Sequence, residues 1–193
     1  MIYLASRSPR RKALLRAAGL RYQYVRSDYV ERMDAARRPS ALVRRHALGK
    51  ALGSLPSVRG SGVILAADTI VYHRGRILGK PVSFRGAERM LGALQGRWHR
   101  VYTGVCLLEV RQGRPKRRVL WVETTRVRIR RMTRHDIRAY FRKVDPLDKA
   151  GAYAIQSRAV KVVERHEGCY DNAVGLPASA IRQIKKFQKN IDK

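Results

Sequence analysis

The chain has 193 residues and a formal net charge of +29, from 43 Lys and Arg against 14 Asp and Glu, and 45% of it is hydrophobic. That length suits one globular domain (1–193) with a sizeable core, and the hydrophobic share excludes a disordered basic tail protein despite the charge. Two cysteines, Cys106 and Cys169, make neither a disulfide framework nor a four-ligand zinc site. Apolar runs such as residues 63–67 are far too short to cross a bilayer, and residues 1–6 run into arginines with no signal-peptide stretch behind them. The expectation is a soluble, cytoplasmic protein without a membrane partner.

Lys and Arg number 19 in residues 1–96 and 24 in residues 97–193, so there is no basic tail. Two readings remain: a compositional bias decorating an ordinary surface, or attraction to polyanions such as nucleic acid or nucleotide phosphates. No zinc-finger spacing, Arg-rich arm or aromatic RNA-binding motif accompanies the charge, which favours the first reading for most of it.

In chain order, residues 2–5 form a short apolar strand. Ser8 can cap the helix that follows, Pro9 suits its first position, and Leu14, Leu15 and Ala18 line one face before Gly19 stops it. Ser40 opens a second helix to about Leu52. Residues 63–67 and 69–72 read as strand, and 73–76 turn into Ile77 and Leu78. Ser83 starts a helix ending at Gly96, and residues 99–110 form a long strand. Residues 112–116 turn that strand into 119–131, where Arg126, Arg128 and Arg130 alternate with Val127 and Ile129 as one solvated face. Thr133 caps a helix to about Lys143, residues 160–165 form another strand, and 179–190 a final helix. The mixture predicts an α/β domain with a mixed sheet.

Three segments carry candidate chemistry. In Leu4-Ala5-Ser6-Arg7-Ser8-Pro9-Arg10-Arg11 a strand feeds a helix start, where free backbone N–H groups meet hydroxyls and two guanidinium groups. That suits a phosphate chain, although it also describes an ordinary capped helix, and the P-loop spacing is absent. Asp68, directly after the apolar run, is placed at a strand end, where a carboxylate holds a divalent metal, orients a water or caps a turn. Lys80 follows the next hairpin, where it either neutralises a phosphate or sits on the surface. In Asp148-Lys149-Ala150-Gly151-Ala152-Tyr153-Ala154-Ile155-Gln156, small residues permit close approach to a flat ligand, and the Gln156 amide can read a base edge.

Five segments in this order resemble the Maf family, known as nucleoside triphosphate pyrophosphatases. They are the Leu4-to-Arg11 run, Ala67-Asp68-Thr69 with Gly79-Lys80-Pro81, Gly96-Arg97-Trp98-His99 with Thr103-Gly104-Val105, the Asp148-to-Gln156 run, and Val174-Gly175-Leu176-Pro177. The Asp148-Lys149-Ala150-Gly151-Ala152-Tyr153 run is similar to the branch acting on dTTP and UTP. The resemblance implies an elongated twisted mixed sheet flanked by helices, with a cleft between two lobes as in inosine triphosphatase-like proteins, commonly in homodimers. It implies hydrolysis of a nucleoside triphosphate to monophosphate and pyrophosphate with Mg²⁺, Mn²⁺ or Co²⁺, and a role in nucleotide-pool sanitation and cell division. Nucleic acid is not required for such an activity.

Carried over by position, the resemblance assigns Ser8, Arg10 and Arg11 to a phosphate-binding loop and Lys50 to phosphate contact. Glu31 matches an acid near the divalent cation, in a stretch that also holds Asp28 and Asp34. Asp68 matches the catalytic proton acceptor and shares the metal, with Thr69 beside it in substrate binding. Lys80 matches a further active-site lysine, and Gln156 a residue of base choice. Arg7 stands where the family usually has Gly. A positive φ there would strain it; otherwise it adds a charge near the phosphates. Ala154 and Ser157 replace two further glycines and would tighten the base pocket. The competing classes are a basic nucleic-acid-binding protein and a Maf-like nucleotide binder with little turnover.

Overall fold

The computed structural model describes residues 1–32, 34, 37–157 and 160–191. Among these, seven strands build one sheet: β1 (Ile2–Leu4), β2 (Gln23–Tyr24), β3 (Gly62–His73), β4 (Arg76–Leu78), β5 (Trp98–Arg111), β6 (Arg114–Ile129) and β7 (Val163–Glu167). Their order is β2-β1-β3-β5-β6-β7, with β4 also on β3. The β2–β1–β3 pairings are parallel and the others antiparallel, so the sheet is mixed, as the sequence predicts. Six α-helices accompany it: α1 (Pro9–Ala17), α2 (Pro39–Leu52), α3 (Phe84–Leu94), α4 (Arg134–Phe141), α5 (Tyr170–Val174) and α6 (Ala178–Ile191).

Local chemistry accounts for most boundaries. Pro9 opens α1, Ser83 Oγ accepts the Gly86 N–H at the start of α3, and Thr133 and Asp136 form a reciprocal capping box on α4. The β5–β6 turn is only Gln112 and Gly113, both at positive φ (49° and 74°), the two-residue geometry that matches strand twist. β6 therefore starts at Arg114, ahead of the expected residue 119. β7 starts at Val163 rather than 160. Along β6, Thr125, Val127 and Ile129 point inward while Arg126 and Arg128 face outward, as the alternation requires, and Arg130 lies just past the strand's end.

The structure departs from the sequence expectation at Asp68. Asp68 does not end a strand: β3 is continuous from Gly62 to His73, with Asp68 opposite Gly104 of β5. A turn-capping role is excluded by this position. The run of small apolar residues before Asp68 and the β-branched Thr69, Ile70 and Val71 after it carry the extended backbone through without a break.

α2 covers one face of the sheet, packing Ala47 and Ala51 against Ile64, Ala66, Cys106 and Leu108. Gly104 permits this: a Cβ there would lie 2.3 Å from the Val43 carbonyl oxygen. The opposite face is covered in two separate places. At one end Leu15 of α1 and Ile184 of α6 pack on Leu65 and Leu107. At the other, Leu91 of α3 and Tyr140 of α4 pack on Val101, Val127 and Ile129. These two clusters are the lobes, and the cleft lies between them.

Candidate active site

The cleft follows from strand pairing. β5 pairs with β3 without interruption from Gly62 to Tyr72, so β1 and β4 must both use the other edge of β3. β1 takes residues 63–65 and β4 takes residues 71–73, leaving residues 66–70 without a strand neighbour on that side among the described residues. Asp68 sits in the middle of this gap. Its side chain is largely buried (residue 6% exposed), and Oδ1 accepts from Lys50 Nζ at 2.7 Å. Lys50 comes from the last turn of α2, whose end is held by the Ser27 and Ser54 hydroxyls, both donating to the Lys50 carbonyl. The same Nζ lies 2.8 Å from Glu31 Oε1 and 3.4 Å from the Ala67 carbonyl oxygen.

Glu31 is singled out from its neighbours by packing. Tyr29 lays its ring edge-on against His46 of α2 and hydrogen-bonds His46 Nδ1 at 2.9 Å, which anchors the segment over α2. Asp28 instead pairs with Arg26, and Asp34 with Arg37. Two carboxylates thus converge on one ammonium. Among the described residues no group of three His, Cys, Asp or Glu gathers around a point. A two-carboxylate set fits a hard divalent cation that takes its remaining ligands from phosphate and water, and does not fit a closed zinc site.

The α1 end supplies the positive wall. Ser8 holds the N-cap position, but its hydroxyl makes no capping hydrogen bond; the Ser8 N–H donates instead to Ser6 Oγ at 3.2 Å. Arg11 is buried and donates three ways: Nε to the Gly175 carbonyl (2.8 Å), Nη1 to Ser6 Oγ (3.0 Å) and Nη2 to Thr69 Oγ1 (3.1 Å). Gly175, at φ 128°, is the residue whose backbone turns that carbonyl toward the guanidinium. Burial lowers the Arg11 pKa, Asp68 and Glu31 oppose that, and a guanidinium has ample reserve to remain charged. Arg10 reaches across the cleft mouth to Asp148, Nη1 to Oδ2 at 2.7 Å and Nη2 to the carbonyl at 3.0 Å. Lys149 also pairs with Asp148. Partial burial raises the Asp148 pKa, but the hydrogen bonds from Lys149 and Arg10 outweigh it and hold it below the usual carboxylate value.

Ser8, Arg10, Arg11, Glu31, Lys50, Asp68, Thr69, Lys80 and Gln156, the residues assigned by the resemblance, all line one cavity of about 430 Å³, with Ala154 but without Arg7 or Ser157. That volume suits a nucleotide-sized ligand. It opens into a second hollow on the side of Arg7 and Tyr24. The cavity is two-sided in chemistry. Its charged half holds the groups above, and its other half is lined by Val71, Val101, Ala150, Tyr153, Ala154 and Val174. Arg7 is not among the non-glycine residues with positive φ, so it carries no strain of that kind; its Nε donates to Tyr24 OH at 3.1 Å.

Sequence reasoning missed several supports. Thr103 Oγ1 bonds Thr69 Oγ1 at 3.0 Å and the Asn172 carbonyl at 3.1 Å, tying the floor to α5. Asn172 is itself buried and donates to Thr125 Oγ1 and the Val101 carbonyl. Their signal in the sequence was a Thr inside an apolar strand and an Asn inside an apolar segment, neither of which names its partner. Asp148 and Lys149 stood side by side in the quoted run, with nothing in the sequence to show Asp148 closing onto Arg10.

The family described as Maf-like protein matches residues 1–186 of the chain. A dTTP/UTP pyrophosphatase of Gloeobacter violaceus is 47% identical over 175 residues, covering 91% of this chain and 89% of its own length. Proteins of the same name from Bacillus cereus and Pelotomaculum thermopropionicum are 41% and 37% identical, covering 99% and 98% of this chain and 91% and 98% of their own. A solved dITP/XTP pyrophosphatase of Mycobacterium abscessus, 13% identical with a TM-score of 0.41, covers 99% of this chain and 95% of its own and is too distant to bear on the architecture. With the family match spanning nearly the whole chain, and relatives of this identity aligned end to end, the chain belongs to the Maf family.

Proposed function

We propose that the protein hydrolyses nucleoside triphosphates, dTTP and UTP above others, between the α- and β-phosphorus, releasing the monophosphate and pyrophosphate. The observation that carries this reading is the two-sided cleft, with the buried Asp68 and the more exposed Glu31 meeting at Lys50 between a cationic wall and an apolar pocket. The relatives named dTTP/UTP pyrophosphatase support the choice of base.

In this reading the triphosphate lies along the start of α1, where Arg10, Lys80 and the free N–H groups of the helix meet its charge. Arg11 is already fixed by three acceptors, so its remaining N–H groups are presented without reorganisation as negative charge develops. Asp68 accepts the proton of the attacking water, and Lys50 holds that carboxylate in place. Glu31 and Asp68 are the residues that would hold a divalent cation, Mg²⁺, Mn²⁺ or Co²⁺, which supplies charge neutralisation at the phosphate oxygens. The base enters the apolar half, with Gln156 at its edge and Thr69 beneath. The substrate is the free nucleotide with no requirement for nucleic acid, the setting is the cytoplasm, and the assembly is a homodimer; the role is removal of unwanted nucleotides, with an influence on division. No helix among the described residues is long and apolar enough to cross a membrane.

The test is pyrophosphate release from dTTP, UTP, CTP and dGTP with each divalent cation. Release is expected to be fastest with dTTP or UTP. A purine preference overturns the base assignment. No release from any triphosphate, with steeply salt-dependent retention of DNA or RNA instead, overturns the enzyme reading.

A further inference from the structure

Two side chains that do not line the cleft hold the wall that does. Tyr140 of α4 is fully buried, and its hydroxyl accepts the Ala154 N–H at 2.9 Å. His99 of β5, 3% exposed, places Nε2 2.7 Å from the Tyr153 hydroxyl, with the two rings edge-on at 5.3 Å. Tyr153 and Ala154 line the apolar half of the cavity, whereas Tyr140 and His99 stand behind them. With its hydroxyl committed to His99, Tyr153 offers the cleft an apolar ring.

The segment leading into this wall is held in a conformation that its residues do not favour alone. Residues 150–152 form a 3₁₀ turn in which Gly151 (φ 70°) and Ala152 (φ 65°) are both left-handed. For Ala152 that conformation is uncommon and persists only where the surroundings over-determine it. The restraints are the Gly151 N–H to the Gly79 carbonyl at 3.1 Å, Val71 packed 3.0 Å from where a Gly151 Cβ would stand, and the Tyr140 and His99 contacts just beyond. Remove Tyr140's acceptor, and Ala154 keeps a buried N–H without a partner, which is relieved only by moving the wall.

We propose that Tyr140 and His99 are positioning residues for base selection, fixing Tyr153 and Ala154 so that the apolar half of the cleft accepts a single-ring base and refuses a purine. The inference rests on the pyrophosphatase reading, in which that half takes the base. A fixed wall cannot retreat before the larger ring; a released one can. Because neither residue touches substrate, their effect is on discrimination rather than on the bond-breaking step.

The experiment compares kcat/KM for dTTP and dGTP in the wild-type protein and in Tyr140→Phe, which keeps the buried ring and removes only the acceptor. The dTTP/dGTP ratio is expected to fall about tenfold or more, through a higher KM for dTTP and a lower one for dGTP, with kcat for dTTP changing far less. A merely structural role would lower both substrates in the same proportion, and an unchanged ratio in a folded, active variant overturns the proposal. Should Tyr140→Phe not fold, His99→Phe, which takes the partner from the Tyr153 hydroxyl at a residue that does not line the cleft, reads the same ratio with the same two outcomes. A wild-type protein that releases no pyrophosphate from dTTP overturns the function itself, and so is distinguished from failure of this inference.

Discussion

His99 makes the stability of this fold depend on pH in a way that can be worked out beforehand. Burial, followed by the nearby His73, presses its pKa from the ordinary histidine value to about 3. An unfolded chain has its histidines near 6.5. Below that pH the unfolded state takes up a proton that the native state refuses, so stability is complete above about pH 6.5 and falls as the pH drops towards 3. The slope approaches about 1.4 kcal/mol per pH unit, and from pH 7 to pH 5 the loss comes to about 2 kcal/mol. That figure holds for any native pKa well below 5. His73 shifts in the same direction, chiefly by burial, with the Trp98 carbonyl opposing and Arg74 and Arg97 assisting. His73 is common to both proteins in the comparison, so it cancels. The assay is urea unfolding of the wild type and His99→Gln at pH 7, 6 and 5. The variant is less stable at pH 7, and the gap should narrow by about 2 kcal/mol at pH 5, since glutamine takes up no proton. Parallel pH profiles would show that His99 titrates normally in the fold and would refute the reasoning.

Two substitutions address the chemistry directly. Asp68→Asn keeps an oxygen for Lys50, which also retains Glu31, so melting temperature and nucleotide affinity should hold while dTTP turnover falls by about 10²–10⁴-fold; near-normal turnover in the folded variant removes Asp68 from catalysis. Arg7→Gly restores the residue usual in the family, but Arg7 is exposed and free of positive φ, so kcat should stay within about twofold; a large rise would mean that Arg7 restrains turnover after all.

What the sequence made legible was local. Pro9, Ser83 and Thr133 each start a helix within a residue of the expected place, because a cap or a fixed φ acts over three or four positions. β2, with two residues, and α5, with five, are too short to carry a period and were missed. Asp68 was seen but misplaced. Nothing near it in the chain tells that β1 and β4 share an edge of β3 and leave residues 66–70 without a strand neighbour there among the described residues. The Gly175 carbonyl on Arg11, separated by 164 residues, is of the same kind: the motif was visible and its target was not. The resemblance named Glu31 ahead of Asp28 and Asp34, but the packing of Tyr29 on α2 that anchors its segment was not visible in the chain.

The net charge of +29 is easily taken for the signature of a polyanion-binding surface, and the placement of the acids argues otherwise. Of only 14 Asp and Glu, three line this one cleft: Glu31, Asp68 and Asp148. Each is held by a lysine or arginine of the same cleft. A surface built only to attract phosphate gains nothing from carboxylates facing its ligand, and burying one as deeply as Asp68 costs desolvation that the pairing with Lys50 has to offset. Cations alone would also grip substrate and product alike, which does not accelerate a reaction. Carboxylates that oppose bound phosphate in the ground state become useful when a cation or a transferred proton joins them during reaction. The acids therefore separate a catalytic cleft from a binding patch more sharply than the 43 basic residues of the chain do.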